Sequence, residues 1–448
     1  MNKKLQSILN DLSKESLLTI VKTLHADKNF CNLVEQQIAS FDPKELAKII
    51  NNSINTIKRS KKFLDYYEAN GMSEKIDHIN DGIEKLLQQD QATLALELCQ
   101  KLIAIDGKIY EHADDSSGNI SQSYYDTHAL LDKAFCDAKT PHDQVADYIF
   151  NACINDDYGI RGHILYNCKA ALKLGADKPL EQLVLKKLTP ESYLYFDIRL
   201  VIADARNDVD EYISIEDEHW QHIGGEMDDK TILAIAKRLN NAFRGREAIA
   251  WLEKINGRHY QYEKAELLIE AHQLEGMDSK AQEILWQRFK SNLSAQDYLR
   301  YLKNANKEQR QTTKAQAIEL CMKFPYLSSS IDFLYEVKEF DLLEEMILKN
   351  AEQLNDVYSS SLRKISTELA KNNKYLASTL MRRALVWDIL NKAKSKYYKY
   401  GVSDLKKAFD YAAQVYDWKV FDNNETFITK LKEKHHRKIA FWSQAPNA

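Results

Sequence analysis

Apolar residues recur at helical spacing along almost the whole chain, and this periodicity constrains the fold more than any other feature. Ile83, Leu86 and Leu87 precede a turn that Leu94, Leu98 and Leu102 follow, and Leu267, Leu268 and His272 stand in the same relation to Ile284, Leu285 and Phe289. Spacings of three and four residues put such side chains on one helical face. Only 13 Gly and 6 Pro occur in 448 residues. Both residues punctuate sheets and long loops, so their scarcity favours long helices joined by short turns. An all-α chain of this length exceeds what one compact core sustains, and either divides into domains or extends as a repeat array.

Helix boundaries are marked locally. Asp42-Pro43, Thr140-Pro141 and Thr189-Pro190 each set a capping oxygen before a proline that has no amide to leave unpaired. Ser73, Ser294 and Ser403 are expected as further caps, and Gly71, Gly175, Gly276 and Gly401 as helix ends. The clearest helix pair runs from Tyr262 to Leu274, turns through Glu275–Asp278, and returns from Ser279 to Ser291. It has the length of a tetratricopeptide repeat, with Ala281 where close packing needs a small residue, although no fixed period carries through the chain. The expected architecture is therefore stacked helix pairs, a degenerate TPR-like α-solenoid. Asn207 to Asp229 holds nine acidic residues, no Lys or Arg, and Gly224-Gly225. It is expected as an acidic hinge between an N-terminal helical region, 1–206, and a C-terminal one, 230–448.

The six cysteines lie far apart without a CxxC pair, as reduced core thiols of a cytoplasmic protein do. No window is apolar enough for a membrane span, and the first residues lack a signal-peptide core. Gly-rich phosphate loops, a GxSxG elbow and a Cys/His zinc pattern are missing, so no cofactor is implied.

Three features carry candidate chemistry. The loop Asp114-Asp115-Ser116-Ser117-Gly118 resembles a calcium loop, but aligning its glycine puts Ala113 at the first ligand position and Tyr124 where the closing Glu belongs. With Asp156 and Asp157 it could supply a carboxylate metal centre for an enzyme, against the plainer reading of Asx-turns between helices. Glu216-Asp217-Glu218-His219-Trp220-Gln221-His222 offers imidazoles three apart, or simply a solvated acidic segment. The third is charge: residues 371–448 hold 16 Lys/Arg and 7 Asp/Glu, a local +9, which leaves −13 for residues 1–370 given the total of −4. Within this stretch Lys392, Lys394, Lys396 and Lys399 interleave with Tyr397, Tyr398 and Tyr400, and Lys434, Arg437 and Lys438 form a second basic run. Cations beside aromatics suit phosphate neutralisation with base stacking, and equally suit a solvated helix face whose rings pack inward.

Three segments together, LSKESLLTIVKTLHADKNFCNLVEQQIASFDPKELAKII, EHADDSSGNI with NDDYGI, and MRRALVWDILNKAKSKYYKYGVSDLKKAF with LKEKHHRKIAFW, carry a family resemblance. The chain resembles a bacterial all-helical family known only as a domain of unknown function, some relatives of which carry a SWIM-type zinc finger ahead of a similar helical region. This sequence lacks the cysteine pair of such a finger, so a nucleic-acid role does not transfer with the resemblance. The resemblance implies a TPR-like array and leaves function open. The expected function is a non-enzymatic scaffold for a protein partner, with nucleic-acid binding through the basic stretch, or a metal-dependent enzyme at the aspartates, as alternatives.

Overall fold

The structure, a computed structural model, describes residues 12–27, 30–31, 34–35, 42–60, 62–392 and 395–446. It is all-α: among these residues the extended pairing is limited to a single bridge between Leu64 and Ala113. No helix in the described residues is long and apolar enough to cross a membrane. The chain divides into two compact units, Met1–Tyr260 and Gln261–Ala448.

The first unit opens with α1 (Lys14–Ala26), α2 (Pro43–Arg59), α3 (Tyr66–Gln88) and α4 (Ala92–Ile103). A short α5 (Asp106–Tyr110) leads to α6 (Asn119–Asp137), α7 (His142–Ile154), α8 (His163–Asn167) and α9 (Lys169–Ala171). A π-turn over Leu172–Ala176 precedes α10 (Asp177–Lys187), α11 (Tyr193–Arg206), α12 (Val209–His222), α13 (Asp229–Asn241) and α14 (Gly245–Glu253). Helix α3 is the spine of this unit's core. Ile76, Ile79, Ile83 and Leu86 are buried along it, and α2 and α6 pack against it. A buried polar pair fixes the α3–α6 alignment: Asn80 donates to the Ser123 carbonyl at 2.8 Å and accepts from the Thr127 hydroxyl at 2.8 Å. From α10 onward the pattern becomes sequential, each helix packing on the next through α14.

The second unit continues with α15 (Gln261–Leu274), α16 (Asp278–Asn292), α17 (Ala295–Tyr301), α18 (Lys307–Lys323), α19 (Leu327–Glu336) and α20 (Phe340–Lys349). It closes with α21 (Ser359–Lys371), α22 (Tyr375–Asn391), α23 (Tyr398–Ala412), α24 (Asn424–His435) and α25 (Ile439–Trp442). Neighbouring helices again pair in chain order, α15 on α16, α19 on α20, and α22 between α21 and α23. Stacked helix pairs of this kind are the architecture that the periodicity implies. The expected pair on either side of Gly276 is present, with that glycine at φ +68° and Ala281 fully buried.

Several boundary signals act differently from expectation. Asp42 caps α2 from its side chain and Ser294 caps α17, but Ser73 and Gly71 lie inside α3, and Ser403 and Gly401 inside α23. Burial of the apolar face of a long helix outweighs the roughly 1 kcal/mol that one interior glycine costs. At Gly401 packing supplies a reason for the residue, since a Cβ there would stand 3.2 Å from Phe441. Pro141 occupies the cap of α7, one place earlier than anticipated, and Thr189-Pro190 closes a turn before α11. The acidic stretch 207–229 was expected as a hinge, but Val209–His222 of it is the helix α12, and the division between units falls after Tyr260. Tyr212, Ile215 and Glu216 bury the inner face of α12, and a row of buried anchors holds an acidic segment helical as readily as a neutral one.

Candidate functional site

The two acidic loops are stitched by their own aspartates. Asp115 accepts from the backbone N–H groups of Ile120 and Ser121, each at 2.9 Å, and from the Ser121 hydroxyl at 2.7 Å. Asp156 accepts from the amides of Ile160, Arg161 and Gly162. Asp114 accepts from the Ser116 hydroxyl and amide, and that hydroxyl holds its carboxyl below the usual range. These are Asx-type closures before a helix, with Gly118 and Gly159 supplying positive φ in each loop. Among the described residues no set of three or more His, Cys, Asp or Glu ligand atoms within 4.8 Å includes Asp114, Asp115, Asp156 or Asp157. Burial, and then the Asp115 and Asp156 charges, push the hydroxyl of Tyr125 on α6 up. Beneath them Asp106 is buried and paired bidentately with Arg161. His219 and His222 lie on α12 beside Phe196, whose ring stacks on His219 at 4.7 Å.

The basic stretch is the more developed surface. Helices α21, α22 and α23 converge on Asp404, which is 1% exposed. It accepts from Arg363 Nη2 at 2.7 Å and from Arg382 Nη1 at 2.7 Å. Arg382 also donates to the Arg363 carbonyl and the Thr367 hydroxyl. One carboxylate thus serves two guanidiniums, which leaves a surplus positive charge. Arg363, the more exposed of the pair, carries it into a cleft of about 470 Å³ lined also by Ser359, Asp388, Lys392, Tyr397 and Tyr400. A second cleft of about 260 Å³ shares Ser359, Asp388 and Lys392 with it.

Of the predicted cations, Lys392 pairs with Asp388 at 2.6 Å. Lys396 lies over the Tyr397 ring at 5.1 Å and Lys399 over Tyr400 at 5.0 Å, while the two rings stand 6.3 Å apart. Lys394 is outside the described residues. The second basic run is anchored separately: Lys434 lies over Trp387 at 5.2 Å, and Arg437 and Lys438 follow α24, Arg437 exposed and Lys438 half-buried. Sequence reasoning missed Arg363, Ser359 and Asp404, which stand outside the lysine-tyrosine run. The available signal was Arg382-Arg383, two arginines in a helix otherwise rich in apolar residues, since such charges are buried only when paired. Arg383 is held between the Trp418 and Phe427 rings, and burial lowers its pKa to about 10.

No curated protein matches the chain. Among solved structures, a circular tandem repeat protein with novel repeat topology and enhanced subunit contact surfaces matches at 11% identity. The match covers 92% of this chain and 98% of that one, with a TM-score of 0.18, too low to relate the two folds. The sequence itself matches the family of unknown function DUF6880 over residues 16–192 and 195–444. That match spans nearly the whole chain, both acidic loops and the basic stretch alike, and the chain belongs to the DUF6880 family.

Proposed function

We propose that this chain is a non-enzymatic helical scaffold that binds a protein partner. The observation that carries the reading is the sequential packing of helix pairs within each unit, which builds extended surfaces out of successive helices. Large aromatic side chains stand exposed on these helices and their turns, among them Tyr193, Phe243, Tyr326 and Tyr358. Aromatic residues of this kind are the usual anchors of protein interfaces. The test is capture by tagged full-length protein from its native host, with half of the sample nuclease-treated, followed by reconstitution from purified components. A stoichiometric protein that survives nuclease and rebinds in purified form supports the scaffold; the lack of any such protein overturns it.

A second reading is favoured by the cleft at Arg363. Surplus guanidinium charge, flanking lysines and two neighbouring tyrosine rings suit a single-stranded nucleic acid, whose phosphates need cations and whose bases stack on aromatics. Under this reading a fluorescent oligothymidylate binds the intact chain with an affinity that falls steeply with salt. Replacing Lys392, Lys396 and Lys399 together by Ala then flattens the salt slope by about two, roughly 0.7 for each lost contact to a single strand. Binding that ignores salt, or that these changes leave intact, rules the cleft out.

A further inference from the structure

Near the start of the first unit three different metal-ligating side chains come together. His25 lies in the last turn of α1, and Cys31 and Glu35 follow at helical i,i+4 spacing, which brings them to one face. Their ligand atoms all lie within 4.8 Å of one another. His25 Nε2 is 2.9 Å from Glu35 Oε1, and Cys31 Sγ is 3.6 Å from the same oxygen. Glu35 also lines a cleft of about 640 Å³ bordered by α2 and α3, whose walls carry Lys62, Lys75 and His78.

We propose that His25, Cys31 and Glu35 form a binding site for a divalent transition-metal ion of the zinc type. An imidazole nitrogen, a thiolate sulfur and a carboxylate oxygen are the three donor types zinc accepts, at about 2.0–2.3 Å each. Tetrahedral bonds of that length set neighbouring donors roughly 3.3–3.8 Å apart, so only small rotamer changes separate the observed arrangement from a coordinated one. The sulfur donor selects against calcium and magnesium, which take oxygen ligands. Three protein ligands leave a fourth position open to water or to a ligand held in the adjoining cleft. A surface His–Glu ion pair alone contributes little to stability and gives no role to Cys31. A free thiol carries its proton at neutral pH, and a metal takes it as the thiolate. Metal uptake forms the metal–sulfur bond and releases that proton to solvent, and binding tightens as pH rises. This site is independent of the scaffold reading.

The test titrates the metal-free full-length chain with Co²⁺ and then Zn²⁺. The expected result is one equivalent of Co²⁺ with a thiolate-to-metal charge-transfer band and the strong visible absorption of a tetrahedral site, both displaced by Zn²⁺. Cys31→Ser abolishes the band, His25→Ala and Glu35→Gln abolish stoichiometric uptake, and Cys136→Ser, at another half-buried cysteine, changes neither. Zn²⁺ should also protect Cys31 of the unaltered protein from alkylation, a measurement that requires no variant to fold. Absence of stoichiometric uptake by the unaltered protein, a band that persists in Cys31→Ser, or unprotected Cys31 overturns the site.

Discussion

His128 lies fully buried on α6, and among the described residues neither of its ring nitrogens has a hydrogen-bond partner. Burial, and then the neighbouring His163, lower its pKa from 6.5 to about 3. The native state therefore keeps the ring neutral while the unfolded chain protonates it below about 6.5. Stability contributed by the neutral ring is complete above that pH and is lost as pH falls toward 3, at about 1.4 kcal/mol per pH unit. Denaturant midpoints measured between pH 7 and pH 4 should show this acid limb, and His128→Leu should flatten it. Asp404 poses the opposite problem. Asp404→Asn leaves the buried Arg382 without its counter-charge beside the half-buried Arg363, and an uncompensated buried charge costs about 3–5 kcal/mol, readable as a drop in urea midpoint. Arg363→Ala, which removes the more exposed partner, should cost markedly less.

Between elements, two glycines inside one helix make opposite predictions. A Cβ on Gly82 would stand 2.7 Å from Ile50 Cδ1, where α2 meets α3, whereas a Cβ on Gly71 meets nothing within 4 Å. Gly82→Ala should destabilise by about 1–3 kcal/mol through overpacking. Gly71→Ala should stabilise by roughly 0.5–1 kcal/mol by removing helix-interior glycine. Thermal melts of the two variants, shifted in opposite directions, check both. Helices themselves were legible because their signal is local: the apolar spacing around Gly276 and the Asp42-Pro43 cap need no distant contact to be read. Helix ends at Gly71 and Gly401 were misread, because what carries the chain through them is burial of their neighbours Ala69 and Met72 in the core and, at Gly401, packing against Phe441, 40 residues away in sequence. The cleft was half legible for the same reason. Lys392, Lys396 and Lys399 announce themselves by composition, while Arg363 joins them only because Asp404 draws it in from 41 residues away.

For the whole molecule, the two compact units each possess a buried apolar core. In the first it runs from Leu46 to Ala205, and in the second from Phe289 to Leu385. Fragments 1–260 and 261–448, produced separately, are therefore expected to fold, each with a cooperative melt and helical circular dichroism. A fragment that stays unfolded alone would show that its core depends on the other unit. Stacks of apolar helices face a hazard of registry, because one ridge of leucines fits a neighbour's groove nearly as well after a slip of one turn, about 5.4 Å. At α21, α22 and α23 such a slip would part Asp404 from Arg363 and Arg382 and strand the two buried charges, Asp404 and Arg382, without partners. The shared carboxylate thus acts as a dowel through three helices, making every misaligned stacking of that end of the array pay in desolvated charge what the correct one does not.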